Sequence, residues 1–373
     1  MPNITNQSRL LILLFALPLL LNAQEKVNYE HPIPFAPQKY VCYQSTESIK
    51  IDGTLDEESW NKAEWTSDFV DIEGQLKPNP PLRTRAKMLW DKDYFYIAAE
   101  LEESHLWATL TERDAIIYQD DDFEVFIDPD GDGLHYYEFE INAFNTVWDL
   151  LMLRPYRDSV SQLPHYLFNW NLEDWKTGVN TQGSINDPSD KDQGWTVEMA
   201  IPWEALKELA NPKRTPKDGE YWRVNFSRVD WHMDIKDGAY QKQKQPGTNK
   251  NKPEENWVWS PQGRISMHQP ETYGYVLFSE EKVGTKTVDF PELKEEAIKW
   301  ALYQLFHQQH QYLQKHRRFT SDKNKLSIPD PGIDNYEFKP VLFTTPSSFE
   351  ILVPSSQRGI YWRINEEGKV WKK

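Results

Sequence analysis

The sequence predicts an all-β protein, a β-sandwich followed by one long helix and a small β unit. Many short runs alternate apolar and polar residues with a period of two, which is typical of half-buried strands. Turn residues separate these runs at short intervals, and helical spacing is rare. Tryptophan is abundant, with 16 in 373 residues. Such large rings suit the wide core of a sandwich, and most of them are expected to be buried there.

The first 23 residues have the composition of an export signal. Arg9 precedes the apolar run Leu10–Leu21, and the small residue Ala23 follows it. This run is too short for a membrane span, which needs ~20 residues, and no second apolar run of that length follows. We therefore expect an exported protein, periplasmic or extracellular, with no membrane span. Cys42 lies too far from the predicted cleavage site to be a lipid anchor.

Composition and charge divide the remaining chain into three parts. A Pro-rich linker over residues 24–39 leads into the sandwich, which is expected over residues 40–284. The formal net charge of −16 makes nucleic acid an improbable partner. Residues 285–373 carry 14 Lys and Arg against 11 Asp and Glu. This change in charge marks the start of a C-terminal extension.

The first elements of the predicted sandwich are a short strand, a short helix and a hairpin. Ser48–Asp52 has strand character, and Thr54 and Glu57 have the spacing of a capping box that begins about two turns of helix. Leu82–Trp90 then alternates strictly, and a turn joins it to Tyr94–Leu101. These two runs predict a β-hairpin.

The stretch Tyr118–Asn142 is the most unusual part of the chain. Two alternating runs flank the turn DPDGDG, and nine of the residues from Asp120 to Glu140 are acidic. Strand periodicity places Phe123, Val125 and Ile127 on one face of the first run and the acidic side chains on the other. Crowded carboxylates repel one another unless a cation or a hydroxyl-rich ligand takes up the charge. The hairpin is therefore the predicted binding region.

Further strands and a helix complete the prediction. Residues 154–192 have loop composition but hold several aromatic residues, and long loops of this kind are commonly functional. Helical spacing predicts a long amphipathic helix over Pro291–Phe319, followed by a small β unit. The remaining strands are expected at Thr146–Leu153, Trp195–Trp203, Trp222–Trp231, Trp257–Pro261 and Gly274–Phe278.

Several of these stretches together resemble a known family. The sequences IDGTLDEESWNKA, MLWDKDYFYIAAEL, DDFEVFIDPDGDGLHYYEFEIN, WRVNFSRVDW and NWVWSPQGRISMHQPETYGYVLFS are similar to family 9 carbohydrate-binding modules, over roughly Tyr40 to Ser279. The resemblance implies an immunoglobulin-like or jelly-roll-type β-sandwich. It also implies non-catalytic binding of a polysaccharide or oligosaccharide, and calcium ions that brace the loops.

The resemblance implies roles for four positions of a sugar site. Two aromatic rings clamp the terminal sugar in the family, and the first corresponds to Tyr118. The carboxylate that accepts hydrogen bonds from sugar hydroxyls corresponds to Glu124. The family's arginine falls on Glu140, a change of two charge units that favours a cation. The second aromatic ring falls near Met267.

The replacement of the second aromatic ring by Met267 leaves the clamp incomplete. Trp257 and Trp259 are close to it in sequence, and we expect one of them to supply the missing ring.

A calcium site is predicted in the hairpin turn. Asp128, Asp130 and Asp132 have the D-x-D-x-D-G spacing that places alternate oxygens around one hard cation. Position 12 of such a loop is Phe139 here, where a calcium-binding helix-loop-helix has Glu. A polar turn without metal is the alternative, and residues 120–122 offer other oxygens at the far end of the strand.

Two other functions stay open. A glycoside hydrolase uses a pair of carboxylates for catalysis, and Glu124 and Glu140 could form such a pair. Alternatively, a sandwich that has lost its sugar site would be a structural or interaction domain. Haem ligation by Met and His is a further alternative. The neighbours Met267-His268 and His232-Met233 point to opposite faces of a strand and cannot share one iron, so only cross-pairing between the two pairs is open.

The predicted helix offers one more possible site. His307 and His310 have the spacing of a metal pair, but we expect a solvated face there and a helix that packs on the sandwich or on a protein partner.

Overall fold

The computed structural model describes residues 26–157 and 164–373, and within them the protein is mostly β. The predicted signal, residues 1–23, lies outside the described residues. Three α-helices occur in the described part, α1 (Glu58–Lys62), α2 (Trp203–Leu206) and α3 (Lys294–His316). The strands are β1 (Lys39–Gln44), β2 (Val70–Asp71), β3 (Thr84–Trp90), β4 (Tyr94–Glu102), β5 (Asp122–Asp128), β6 (Tyr136–Asn142), β7 (Val147–Met152), β8 (Tyr166–Leu167), β9 (Lys176–Gln182), β10 (Gly194–Pro202), β11 (Tyr221–Asp230), β12 (Met233–Lys236), β13 (Ala239–Lys242), β14 (Glu255–Val258), β15 (Gly274–Lys282), β16 (Val341–Thr344), β17 (Phe349–Pro354), β18 (Tyr361–Asn365) and β19 (Val370–Lys372).

The first fifteen strands, apart from the β12-β13 hairpin, form one continuous hydrogen-bonded sheet. Its order is β8-β7-β6-β5-β11-β15-β1-β3-β4-β10-β9, and β14 pairs with both β11 and β2. Neighbours are antiparallel, except that β1 runs parallel to both β15 and β3. Residues of β5 and β6 share the main hydrophobic cluster with residues of β3, β4 and β10, so these two sides of the sheet face each other. The predicted sandwich is confirmed.

Side-chain alternation decides what enters the core between these two sides. Phe123, Val125 and Ile127 of β5 are fully buried in the main hydrophobic cluster, as predicted. Met88 of β3 and Met199 of β10 join the same cluster from the opposite side. Six tryptophans also fill it, each burying a large apolar area: Trp90, Trp195, Trp203, Trp222, Trp257 and Trp259.

Two local predictions are wrong. The segment Ser48–Asp52 is not a strand, because its end turns to donate the N–H groups of Asp52 and Gly53 to the Glu198 carboxylate at 3.0 and 2.8 Å. Helix α1 has five residues and begins after Glu57, with no side-chain cap. Strands β9, β12 and β13 were not expected from the sequence, since they are rich in polar residues.

The C-terminal extension is a helix on a sheet. Helix α3 packs against the four-stranded antiparallel sheet β16-β17-β18-β19, and the two share a separate hydrophobic cluster. The helix starts at Lys294, slightly later than predicted, and ends where Arg317 adopts a left-handed conformation with φ of 59°. No helix in the described ranges combines the length and the apolar character that a membrane span requires.

The Pro-rich lead lies against this C-terminal unit. Within residues 26–38, Tyr29 stacks on His307 with ring centroids 4.2 Å apart. Phe35 stacks on Trp300 at 4.1 Å. The prediction that His307 lies on a solvated face of the helix is therefore wrong, because the lead covers it.

A buried ionic cluster joins the C-terminal unit to the sandwich. Arg223 of β11 lies 2.7 Å from Glu296 of α3, and both side chains are almost fully buried. Lys299 also contacts Glu296, at 2.6 Å, and the hydroxyls of Tyr221 and Tyr275 donate to the same carboxylate. Buried charges are tolerated when they are paired and hydrogen-bonded. This arrangement fixes α3 on the outer face of β11 and β15.

The turn of the acidic hairpin contacts the C-terminal unit as well. The backbone N–H of Val370 donates to the carbonyl of Asp132 at 2.8 Å. Gly133 has φ of +85°, and a Cβ there would lie 2.2 Å from the hydroxyl oxygen of Tyr303. Only glycine fits this turn, because both the left-handed backbone and the close helix exclude a side chain.

Candidate ligand-binding site

A cavity of about 200 Å³ opens on the outer face of the sheet. It lies over β5, β6 and β7, beside β14 and the segment that precedes β15. Its lining combines aromatic rings, carboxylates and a few apolar side chains: Ile72, Tyr118, Glu124, Phe126, Glu138, Glu140, Trp148, Tyr156, Val229, Glu254, Asn256, Ile265, Ser266, Met267 and His268. The structure therefore brings Tyr118, Glu124, Glu140 and Met267 together in one cavity.

Strand periodicity explains why the acidic side chains reach this face. Glu124 of β5 lies directly opposite Glu140 of β6, so both point away from the core. Glu138 lies two residues before Glu140 and points the same way. The outward apolar residues between them, among them Phe126, join a second hydrophobic cluster that forms the base of the cavity.

Tyr118 stands at the rim of the cavity with 40% of its surface exposed. It belongs to a short turn of 3₁₀-helix just before β5. Its backbone N–H donates to Glu140 at 2.9 Å, and its carbonyl accepts from the Trp231 indole at 3.0 Å. Glu140, where the family resemblance breaks, therefore holds the backbone of the first aromatic residue.

Two carboxylates that line the cavity cluster with a third that is fully buried, and we call this group the floor cluster: Glu124, Glu140 and Asp122. One oxygen from each lies within 4.8 Å of the others. Burial raises the pKa of Glu124 to about 7. Burial, followed by the charges of Glu124 and Glu138, holds the pKa of Glu140 well above its ordinary value.

The two tryptophans that were expected to replace the second clamp ring lie elsewhere. Trp257 and Trp259 are almost fully buried in the main core, on the opposite side of the sheet from the cavity. Their assignment as ligand-binding residues is wrong, because both side chains belong to the main core cluster, where Trp257 of β14 pairs with Arg228 of β11. Met267 does line the cavity but is buried.

A different aromatic residue stands beside Met267. Tyr156, from the loop after β7, is 47% exposed and lines the cavity. Its ring packs edge-on against His268 at 4.3 Å. Tyr156 and Tyr118 are thus the two well-exposed tyrosine rings of this cavity.

A second acidic group, the tip cluster, occupies the hairpin turn: Asp128, Asp130 and Asp132. Its oxygens also lie within 4.8 Å of one another, a donor set that suits a hard cation. The Asp128 carboxylate already accepts the N–H groups of Gly131 and Gly133, at 3.0 and 3.1 Å. Phe139 is buried in the core and offers no ligand to this turn.

Cations of the protein surround the tip cluster. Lys369 lies 3.2 Å from Asp132, and the ammonium of Lys299 donates to the nearby Gly131 carbonyl at 3.4 Å. Burial, and then the mutual repulsion of the carboxylates, still raise the pKa of Asp130 to about 7.

A third group, the edge cluster, was not predicted: Glu103, Asp121 and Asp230. The buried Arg228 guanidinium pairs with both Glu103 and Asp230. The cluster is a charge-paired structural feature.

The histidines considered as haem or metal ligands have other partners. His268 shares a hydrogen bond of 2.8 Å with the Tyr136 hydroxyl, and burial lowers its pKa to about 3. His232 lies 2.8 Å from Glu255. His310 bonds the carbonyl of Glu366 at 2.8 Å.

A β-sandwich with a cavity of rings and carboxylates on one outer face is a module for binding a small polar ligand. Residues 51–276 match the family model described as carbohydrate family 9 binding domain-like, and the chain belongs to this family.

Two curated relatives match parts of the chain. The exoglucanase XynX of Acetivibrio thermocellus is 26% identical over 159 residues, which is 43% of this chain and 12% of the relative. The endo-1,4-beta-xylanase A of Thermoanaerobacterium saccharolyticum is 28% identical over 156 residues, 42% of this chain and 11% of the relative. The chain thus matches about a ninth to an eighth of the length of these relatives.

Solved structures of a family 9 module from Caldicellulosiruptor kristjanssonii are also similar to the chain. The complex with cellotriose has 16% sequence identity and a TM-score of 0.41, over 67% of this chain and 100% of the other. The complex with glucose has 15% identity and a TM-score of 0.42, over 67% and 99%.

Proposed function

We propose that the chain is a non-catalytic saccharide-binding module and that the cavity between Tyr118 and Tyr156 receives one sugar ring. The observation that carries this proposal is that two half-exposed aromatic rings share one cavity with carboxylates that face into it. Sugar rings present C–H faces that stack on aromatic surfaces. Their hydroxyls donate to carboxylates, and such charge-assisted hydrogen bonds are stronger than neutral ones.

Each residue has a distinct role in this proposal. Tyr118 stacks on one face of the sugar, and Tyr156 takes the place of the second clamp ring. Glu124 accepts hydrogen bonds from hydroxyls. Glu140 positions Tyr118 through its backbone, and Met267 supplies an apolar wall. The small volume of the cavity favours one ring inside and the rest of the glycan outside.

Binding of glucan and xylan oligosaccharides, measured by calorimetry, tests the site. The Tyr118→Ala and Glu124→Ala variants should each weaken binding, while Tyr361→Ala should not. Tyr361 is a matched control because it is 45% exposed but lies on β18 of the C-terminal unit. Binding that is indifferent to both cavity changes would disprove the site.

Two other outcomes separate the alternatives. Release of sugar from a polysaccharide panel, abolished by Glu124→Gln, would make the protein a hydrolase. A folded protein that binds no glycan in the panel would be a structural or interaction domain.

A second proposal concerns the tip cluster, which we propose to bind a structural calcium ion. Its three carboxylates supply oxygens of the kind that calcium takes. Lys369 competes for Asp132, so the test is whether calcium adds stability. We expect a chelator to lower the melting temperature and Asp130→Asn to make this decrease smaller than in wild type. A decrease of the same size in wild type and variant would mean that the lysines alone brace the turn.

The remaining expectations concern location and partners. We propose that the protein is exported, on the composition of residues 1–23, and acts in the periplasm or outside the cell. A protein partner on α3 would have to use its exposed basic end, Lys315–Arg318, because the chain itself covers much of the rest. Detection of the mature protein in a culture fraction, with its N-terminus at Gln24, would test export.

A further inference from the structure

The three acidic clusters differ in how their charge is balanced. Arg228 pairs with two members of the edge cluster. Lys369 contacts the tip cluster. Within residues 26–157 and 164–373, by contrast, no lysine or arginine forms an ion pair with any member of the floor cluster. Of the three clusters, this one alone has no ion-paired counter-charge in the described part of the chain.

Two buried carboxylate oxygens, one in the floor cluster and one beside it, also lack hydrogen-bond donors among the described residues. Asp122 is fully buried, and its Oδ1 accepts the Val229 N–H at 3.1 Å, while Oδ2 has no donor. Glu138 lines the cavity beside Glu124 and Glu140, and its Oε2 has no donor either. An unpaired buried acceptor is energetically unfavourable, and more so when it is charged. Such oxygens point to a missing ligand.

The described surroundings of the cluster add no compensating positive charge. Nε2 of His268 lies 3.9 Å from the neighbouring Glu138, but burial lowers the pKa of this histidine to about 3, so it is neutral at ordinary pH. Glu254 at the cavity wall adds a further negative charge near Glu124. A bound cation would supply the positive charge that the described surroundings of the floor cluster lack.

The geometry suits one cation. Calcium binds oxygens at about 2.3–2.6 Å, so two ligands on opposite sides of one ion are ~4.8 Å apart. The floor oxygens all lie within 4.8 Å of one another. Glu124 and Glu140 line the cavity, whereas Asp122 is fully buried. An ion held by all three would lie at the wall formed by Glu124 and Glu140, within reach of a ligand in the cavity.

We propose that the floor cluster binds a divalent cation of the calcium type and that hydroxyls of the saccharide complete its coordination. The second part rests on the proposed function of the cavity. Calcium fits better than magnesium, because it tolerates the irregular, carboxylate-rich arrangement.

Calcium binding without sugar tests the first part. The full chain is stripped with EDTA, and calcium chloride alone is titrated by calorimetry. Asp122→Asn and Glu140→Gln should each bind one ion fewer than wild type, whereas Asp132→Asn in the tip cluster should keep the floor ion. Asp234→Asn on the exposed hairpin β12-β13 is the matched control and should equal wild type.

Melting curves keep the test independent of folding defects. Without calcium, Glu140→Gln should melt above wild type because it removes repulsion and its amide oxygen still accepts the Tyr118 N–H. With calcium, its gain in melting temperature should be smaller than that of wild type. Equal ion counts in wild type, Asp122→Asn and Glu140→Gln would overturn the proposal and leave a cluster that holds only protons.

Cellotriose binding with and without EDTA separates this proposal from the proposed function. Binding that EDTA abolishes and calcium restores supports both. Binding with the same affinity in EDTA overturns the role of the cation in sugar recognition and leaves the saccharide site standing. Calcium binding that Asp122→Asn removes, in a protein that binds no saccharide under any condition, upholds the ion and overturns the proposed function.

Discussion

Replacing Glu296 by glutamine tests how strongly the C-terminal unit is held on the sandwich. The substitution keeps the size of the side chain but leaves the buried cations Arg223 and Lys299 without their shared counter-charge. Breaking a buried ion pair on one side costs about 3–5 kcal/mol. Burial alone would raise the pKa of Glu296, but Lys299 and Arg223 lower it from 4.5 to about 2. At about 1.36 kcal/mol per pH unit, this corresponds to roughly 3 kcal/mol at neutral pH.

The pH dependence follows from the sign of this shift. Because the folded pKa lies below the unfolded value, the stabilisation by Glu296 is present above about pH 4.5. It is lost as the pH falls toward 2. At neutral pH the variant should therefore melt roughly 6–12 °C below wild type, at ~2–4 °C per kcal/mol. In acid, the melting temperature of wild type should approach that of the variant.

Scanning calorimetry across this pH range is the measurement, with Glu292→Gln as the control. Glu292 lies just before the same helix, but its side chain is 75% exposed, so its loss should change stability by no more than ~0.5 kcal/mol. A Glu296→Gln protein that melts with the control at neutral pH would refute the reasoning.

Three more predictions follow from single residues. Tyr118→Ala should weaken saccharide binding about fivefold by calorimetry, the loss expected for an aromatic contact of ~1 kcal/mol, and an unchanged affinity would remove Tyr118 from the site. Glu198→Gln should lower the unfolding free energy by about 1–3 kcal/mol in denaturant titration, because the Trp60 indole and two backbone N–H groups donate to its two oxygens. An unchanged unfolding free energy would mean that the glutamine amide accommodates these donors as well as the carboxylate does. Gly133→Ala should lower the unfolding free energy by at least ~1 kcal/mol in the same assay, since the residue is left-handed and its Cβ would meet Tyr303. An unchanged unfolding free energy would show that Tyr303 and its helix can move to make room for the Cβ.

The sandwich could be predicted because strand periodicity is a local property. Alternation along β5 and β6 fixes which side chains face the core, so Glu124 and Glu140 could be placed on one outer face. The same alternation identifies Glu138, which shares the face of Glu140 and could have been named from the sequence. What alternation could not give was the direction of Trp257, because that depends on the register of β14 against β11.

The rest of the site depends on contacts that are distant in sequence. Tyr156 reaches the cavity only through the path of the loop after β7, which has no periodic pattern. The meeting of Lys369 with Asp132 joins residues more than 200 positions apart. Neither carries a local signal, so the sequence predicts the acidic turn but not the lysines that surround it.

The Pro-rich lead packs on α3, and this contact limits when the tertiary structure can finish folding. Val27 forms a backbone bridge with Leu326, and Tyr29 stacks on His307, so an early segment of the chain closes a unit built from late residues. The sandwich is inserted between the two parts. During synthesis, the lead cannot form these contacts until nearly the whole chain has been made. A protein cut before α3 would keep the sandwich strands but leave Tyr29 and Phe35 without the surface that buries them.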